Sequence, residues 1–255
     1  MVSLHISVNV FNEYFDYRTG IDLETKRTPF SGGSGILPAG TLSARQALVL
    51  ALVSLIIGGT IGIYLAAVTG WKLLAIGMIG ILIVVSYTTI LTRVMLGELA
   101  AGLGLGFLPV LGAQFVTTQE ITIQAIIAAV PAGFLVFNLL LLNEFPDAEA
   151  DARGGRRHIV IMLGKRAAGW IYTIFSLSVF IWIACFVWVG TMPLYALLGL
   201  LTLPLGLRAC LGALRDYASF EKLIPAQGLN VATTLFTQVL LAVGFFLAPF
   251  NHSLT

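Results

Sequence analysis

The chain has 255 residues, of which 58% are hydrophobic and only 10% charged, with a formal net charge of +2. A mean hydropathy of +0.97 and so few charges exclude an ordinary soluble domain, in which about a quarter of the residues are charged. The small positive surplus gives no footprint for nucleic acid, and two cysteines in apolar runs, Cys185 and Cys210, exclude a disulfide framework.

In chain order, residues 2–11 are apolar but too short to cross a bilayer, and they carry neither the basic start nor the cleavage site of a signal peptide. They read as half a transmembrane helix whose earlier hairpin partner is missing, so the chain is expected to start late. The polar segment Asn12-Glu-Tyr-Phe-Asp16 follows directly. Ser31-Gly-Gly-Ser-Gly35 lacks the Lys-Ser/Thr end of a phosphate-binding loop. It is expected to be a flexible cytoplasmic loop rather than a nucleotide cradle, with a part in a lid over Asn12–Asp16 still open to it.

Seven apolar runs then follow at 47–68, 73–91, 99–116, 121–142, 167–189, 193–209 and 229–249. A span needs about 20 residues to cross roughly 30 Å of hydrocarbon. The predicted fold is therefore an all-α, multi-pass transmembrane bundle of about seven full spans plus the N-terminal half-helix. It forms a single membrane domain over 1–255, with loops at 17–46, 91–98, 143–166 and 209–228. The third and sixth runs are short and broken by Gly or Pro, which predicts tilted or kinked helices inside the bundle.

The segment that ends the half-helix returns after the fourth run as Asn143-Glu-Phe-Pro-Asp147. Each copy sets Asn and Asp four residues apart, on one helical face, and the second extends the stripe to Asp151. Four spans separate the copies, so both face one compartment. That side also receives every Lys and Arg except Lys72, which makes it cytoplasmic by the positive-inside rule. The expected location is the cytoplasmic membrane of a prokaryote.

Carboxylates at a helix C-terminus oppose the helix dipole, and two such placements imply a cation. Asn and Asp oxygens without paired Cys or His favour a hard ion such as Mg²⁺. Mg²⁺ is commonly shared with substrate phosphates, and the adjacent basic residues suit a diphosphate. The candidate catalytic residues are Asp16, Asp147, Asp151, Asn12 and Asn143, and the candidate metal ligands are Asp16, Asp22, Asp147, Asp151 and Asn12. Arg93, Arg153, Arg157 and Lys165 flank the segments and are candidates for binding diphosphate. His5, His158 and His252 show no ligand spacing and are read without a metal role.

These residues resemble the signatures of the UbiA superfamily of intramembrane prenyltransferases. The first Asp-rich motif is matched by Asn12–Asp22 and the second by Asn143–Arg157, followed by Leu163-Gly-Lys-Arg166. Ser86-Tyr-Thr88 and Leu96-Gly-Glu-Leu99 resemble the middle loop of the 1,4-dihydroxy-2-naphthoate, or menaquinone, branch. Departures are Gly20 where the commonest form has its second Asp, the absence of the usual Tyr-x-x-Lys of the middle loop, and seven and a half helices where the family has about nine. With the carboxylate displaced to Asp22, the helix must unwind at Gly20 for both motif carboxylates to reach one ion.

The resemblance implies Mg²⁺-dependent transfer of a polyprenyl group from an isoprenyl diphosphate to an aromatic quinone precursor in the lipid bilayer, with Tyr87 near the prenyl or acceptor pocket. Chlorophyllide, haem or glycerol-phosphate acceptors are alternatives. So is a non-enzymatic, ion-coupled transporter, whose acidic residues would lie at the bilayer midplane rather than at helix ends. Neither the oligomeric state nor the prenyl length follows from these residues.

Overall fold

A computed structural model describes residues 1–248; the end of the last predicted run at Pro249, and His252, lie outside the described residues. The described residues contain helices but no strand. Six helices or composite helices are long and apolar enough to cross a membrane, and Lys72–Ser86 is a shorter apolar one. The protein is a multi-pass integral membrane bundle.

The first helix, α1 (Val2–Thr19), runs without a break through the first motif and ends where Gly20 adopts φ 84°. A side chain strongly disfavours that left-handed conformation, whereas glycine accepts it. The chain restarts at once as the short α2 (Ile21–Glu24), so the unwinding expected at Gly20 is present. Helix α1 lies against α3 (Ala44–Thr69), and Ser7 Oγ donates to the Ala51 carbonyl at 2.9 Å. The start of α3 is fixed by a capping box: Ser43 Oγ accepts from Gln46 N at 3.3 Å, and Gln46 Oε1 accepts from Ser43 N at 2.9 Å.

Helix α4 (Lys72–Ser86) leads through a 3₁₀ turn at Leu91–Arg93 to the third run, which is not a uniform helix. It consists of α5 (Gly97–Ala101), a π-helical segment Gly102–Phe107, and α6 (Leu108–Thr118). The glycines here permit close packing. A Cβ added at Gly102 would stand 2.7 Å from the Gly133 carbonyl oxygen, so this segment presses its backbone onto the next helix.

That helix, α7 (Ile123–Arg153), is the most enclosed of the spans and contacts α9 (Lys165–Trp188), α11 (Phe220–Leu247) and the π segment. Pro131 interrupts its hydrogen-bond ladder, because proline has no N–H to give to the Ile127 carbonyl. Trp182 Nε1 of α9 donates to that oxygen instead, at 2.9 Å. A second polar tie joins three helices: Asn138 Nδ2 donates to the Tyr172 carbonyl at 3.0 Å, Tyr172 Oη to Asn230 Oδ1 at 3.1 Å, and Asn230 Nδ2 to the Asn138 carbonyl at 3.1 Å. Short α8 (Ile159–Leu163) precedes α9. The sixth run is a 3₁₀ stretch, Leu194–Thr202, continued as α10 (Leu203–Arg215).

Several expected boundaries change: α1 (Val2–Thr19) and α2 (Ile21–Glu24) occupy part of the predicted 17–46 loop, and α4 ends at Ser86 rather than 91. Residues 143–153, predicted as loop, are the last three turns of α7, whose 31 residues measure about 46 Å against roughly 30 Å of hydrocarbon. The 209–228 loop shrinks to the few residues between α10 and α11, because Glu221, Lys222 and Pro225 lie within the first turns of α11. Polar residues at helix ends broke the hydropathy pattern without ending the helix.

Candidate active site

The two motifs meet at the same end of the bundle, joined by Arg156. Within α1 the Asn12 amide donates to Asp16 Oδ2 at 2.8 Å, as the i, i+4 spacing requires. Arg156 follows α7 through Gly154 and Gly155, the latter at φ 86°, and its backbone N–H donates to the Asp151 carbonyl at 2.9 Å. This reversal brings its guanidinium back between the motifs. Its Nη2 pairs with the Asp16 carboxylate and donates to Asn12 Oδ1 at 2.9 Å, while Nη1 stands 3.3 Å from Asp151 Oδ1. The Arg156 side chain is only 14% exposed, so these contacts are weakly screened.

The remaining carboxylates border this pair. Asp22 is buried, and that burial, reinforced by Asp16 and Glu13, pushes its carboxyl up to about 7. Asp147 Oδ1 is buried without a hydrogen-bond partner. The 25–43 loop covers the first motif: Ser34 donates to Glu13 from its backbone N at 2.9 Å and from its Oγ at 2.6 Å. Gly33, at φ 71°, approaches so closely that an added Cβ would lie 3.1 Å from Asp22 Oδ1. The candidate lid segment thus rests on the motif.

Four carboxylates, Asp16, Asp22, Asp147 and Asp151, feel one largely buried guanidinium that pairs with only Asp16 and Asp151, and Asp147 presents an unpartnered oxygen. Such an excess of hard oxygen donors fits an added divalent ion. Asn143 Oδ1 accepts a long bond of 3.4 Å from Gln227 and lines a cavity with Asn12. That cavity, of about 210 Å³, continues from the two Asn residues past Tyr87 along Ile83, Val84, Leu139 and Leu140. Its polar entrance and apolar depth suit an amphiphile with an anionic head.

The other predicted residues are dispersed. Arg93 lines a small pocket with Asp16, Thr88 and Arg156. Arg153 instead pairs with Glu24 at 2.5 Å on the surface, both side chains more than half exposed. Arg157 is exposed and engages Thr92 only through its backbone N–H, at 2.8 Å. Lys165 begins α9, half-buried. The sequence reading gave no site role to Arg156, which lies between two named arginines, or to Thr88, whose Oγ1 is 3.3 Å from Asn12 Oδ1. It also dismissed His158, which is buried 3.2 Å from Asp151 Oδ2.

The sequence profile of the UbiA prenyltransferase family matches residues 1–224. A 1,4-dihydroxy-2-naphthoate octaprenyltransferase of Bacillus subtilis is 28% identical over 251 residues, 97% of this chain and 79% of the relative. The protein of the same description from Mycobacterium tuberculosis is 29% identical over 227 residues, 88% of this chain and 75% of its own. Among solved structures, a digeranylgeranylglyceryl phosphate synthase in membranes superposes with a TM-score of 0.54 at 16% identity, covering 96% of this chain and 81% of the other; that likeness concerns the fold. With both Asp-rich motifs gathered on one buried arginine above an apolar cavity, and the family profile spanning most of the sequence, the chain belongs to the UbiA prenyltransferase family.

Proposed function

We propose that this prenyltransferase moves a polyprenyl group from an isoprenyl diphosphate to an aromatic quinone precursor, working from the cytoplasmic side of the membrane. The observation that carries the reading is that Asn12, bonded to both Asp16 and Arg156, also lines the cavity that runs past Tyr87. A diphosphate at the cluster would direct its hydrocarbon into that cavity. The two described octaprenyltransferases favour a dihydroxynaphthoate acceptor, and the near-exclusive placement of Lys and Arg on the motif side favours the orientation.

In the reaction, the bond between the prenyl C1 and the diphosphate oxygen breaks and its electron pair leaves with diphosphate. A ring carbon of the acceptor then bonds to C1, and the ring loses a proton or its carboxyl group. Asp16, Asp22, Asp147 and Asp151, with Asn12 and Asn143 beside them, are the residues that would hold Mg²⁺, and the ion would supply positive charge against the departing diphosphate. Arg156 faces the same developing charge, already ordered by Asp16 and Asp151, so little reorganisation is needed. Arg93 stands at the neighbouring pocket. The apolar wall of Ile83, Val84, Leu139 and Leu140 excludes water that would capture the allylic cation.

Purified protein in lipid should be supplied with prenyl diphosphates of several lengths, and with dihydroxynaphthoate, hydroxybenzoate and glycerol-phosphate acceptors, with Mg²⁺ or EDTA. Prenylated dihydroxynaphthoate formed only with Mg²⁺ is the expected result. Product from another acceptor alone would overturn the acceptor assignment. A flux of cation across the vesicle without any prenyl product would favour the transporter.

A further inference from the structure

Beyond the Asp-rich motifs, the structure holds a second convergence of ligand atoms. Glu98 at the start of α5, Glu144 of α7 and His158 just before α8 are all buried, and each places one ligand atom within 4.8 Å of the other two. Glu98 Oε2, Glu144 Oε2 and His158 Nδ1 have no hydrogen-bond partner. Two other atoms of these groups are engaged: Glu98 Oε1 accepts from Ile159 N at 2.6 Å, and His158 Nε2 lies 3.2 Å from Asp151 Oδ2.

That second contact favours the imidazole tautomer with its proton on Nε2. With Nε2–H donated to the Asp151 carboxylate, Nδ1 carries a lone pair and points it at Glu98 and Glu144. Three polar atoms then face each other in a dry site, which is costly unless a proton shared by the two glutamates or a metal ion lies between them. The spacing bears on which charge. His158 Nδ1 and Glu144 Oε2 are 3.6 Å apart, too far for a hydrogen bond. Two atoms bound at about 2.0–2.1 Å to one tetrahedral ion stand roughly 3.3–3.4 Å apart. A metal-bound imidazole characteristically gives its other N–H to a carboxylate, as His158 does to Asp151.

We propose that Glu98, Glu144 and His158 bind a divalent transition ion of the Mn²⁺ to Zn²⁺ series, at a site separate from that for Mg²⁺. The imidazole nitrogen selects such an ion over Mg²⁺, which prefers an all-oxygen shell. The ion would tie α5, α7 and the 154–158 turn together. It would act as a brace: by fixing His158 it orients Asp151, and by fixing the turn it sets the position of Arg156.

The experiment needs no prenyl substrate. The protein is purified without chelator, stripped, and dialysed against Zn²⁺ or Mn²⁺ in a large excess of Mg²⁺; its metal content is then measured by mass spectrometry alongside its thermal midpoint. About one transition ion per chain should be retained, with a raised midpoint, because an ion that binds the folded state stabilises it. Glu98→Gln and His158→Gln should lose both effects, while Asp147→Asn should keep them. If the variants do not fold, pulsed EPR of Mn²⁺-loaded wild type decides, since direct nitrogen ligation gives a ¹⁴N coupling. The proposal is overturned by wild type that retains no ion, by variants that retain it equally, or by Mn²⁺ without nitrogen coupling; the two glutamates then share a proton.

Discussion

Arg156 and Arg153 are three residues apart and differ in almost everything that governs their energetic worth. The Arg156 guanidinium is enclosed by two carboxylates and an amide oxygen, whereas Arg153 meets Glu24 in open solvent. Exposed pairs contribute about 0–1 kcal/mol, while a preorganised donor facing transition-state charge is worth at least about a hundredfold in rate. Arg156→Gln should therefore lower turnover by at least about a hundredfold, and Arg153→Gln by less than about fivefold. Initial rates of prenyl transfer in the two variants test the contrast. Lysine at 156 should not restore the rate, because one ammonium does not reproduce the fork that spans Asp16 and Asp151.

Asp22 gives a pH dependence with a definite sign. Its carboxyl holds a proton up to about 7 in the folded chain, whereas an unfolded chain releases it near pH 4. The metal-free protein should lose stability as pH rises between those values, since the folded state binds the proton more tightly there. Mg²⁺ affinity should instead rise with pH through about 7, because the ion requires the carboxylate. Thermal midpoints in EDTA and Mg²⁺ titrations across that range measure both, and Asp22→Asn should make the first curve less steep. The acidic residues were legible in the sequence because their i, i+4 spacing is local. Arg156 was not, since nothing in Arg153-Gly-Gly-Arg-Arg157 says which guanidinium the Gly155 turn directs inward. His158 looked isolated because Glu98 reaches it only through tertiary folding.

Helix α7 shows how a proline is accommodated where water cannot assist. Trp182 supplies the N–H that Pro131 lacks, so the kink and the indole form one unit. Trp182→Phe should lower stability by roughly 1 kcal/mol, the scale of an interhelical hydrogen bond in a membrane. Pro131→Ala should restore a backbone donor to the Ile127 carbonyl and make the indole dispensable. Thermal melting of the two single variants and the double variant should thus show a smaller penalty for Trp182→Phe in the Pro131→Ala background. Hydropathy located every span because each contains an apolar run. It shortened α7 and α11 at the ends where charged or polar residues continue the helix beyond the hydrocarbon.

At the scale of the molecule, catalysis depends on a polar end and an apolar interior being contiguous. The cavity is lined by α1, α4, α5, the π segment and α7, so its depth is set by residues from five separate elements. Leu140→Trp would fill its apolar part without touching the acidic cluster. The Michaelis constant should rise for the longest prenyl diphosphates and change little for the shortest, a result that product analysis by donor length checks. No single stretch of sequence encodes that depth.

The π segment carries a consequence for the angular setting of everything before it. A π turn accommodates one residue more than an α turn, and each residue of an α-helix advances the winding by about 100°. Removing Gly104 would let Gly102–Phe107 rewind as α-helix, turning α5 by about that angle relative to α6. Glu98 would swing off the face that meets Ile159 and His158, although its neighbours in sequence would be unchanged. The surplus residue thus acts as a phase shift, and the two halves of this span keep their separate bearings only while it is present.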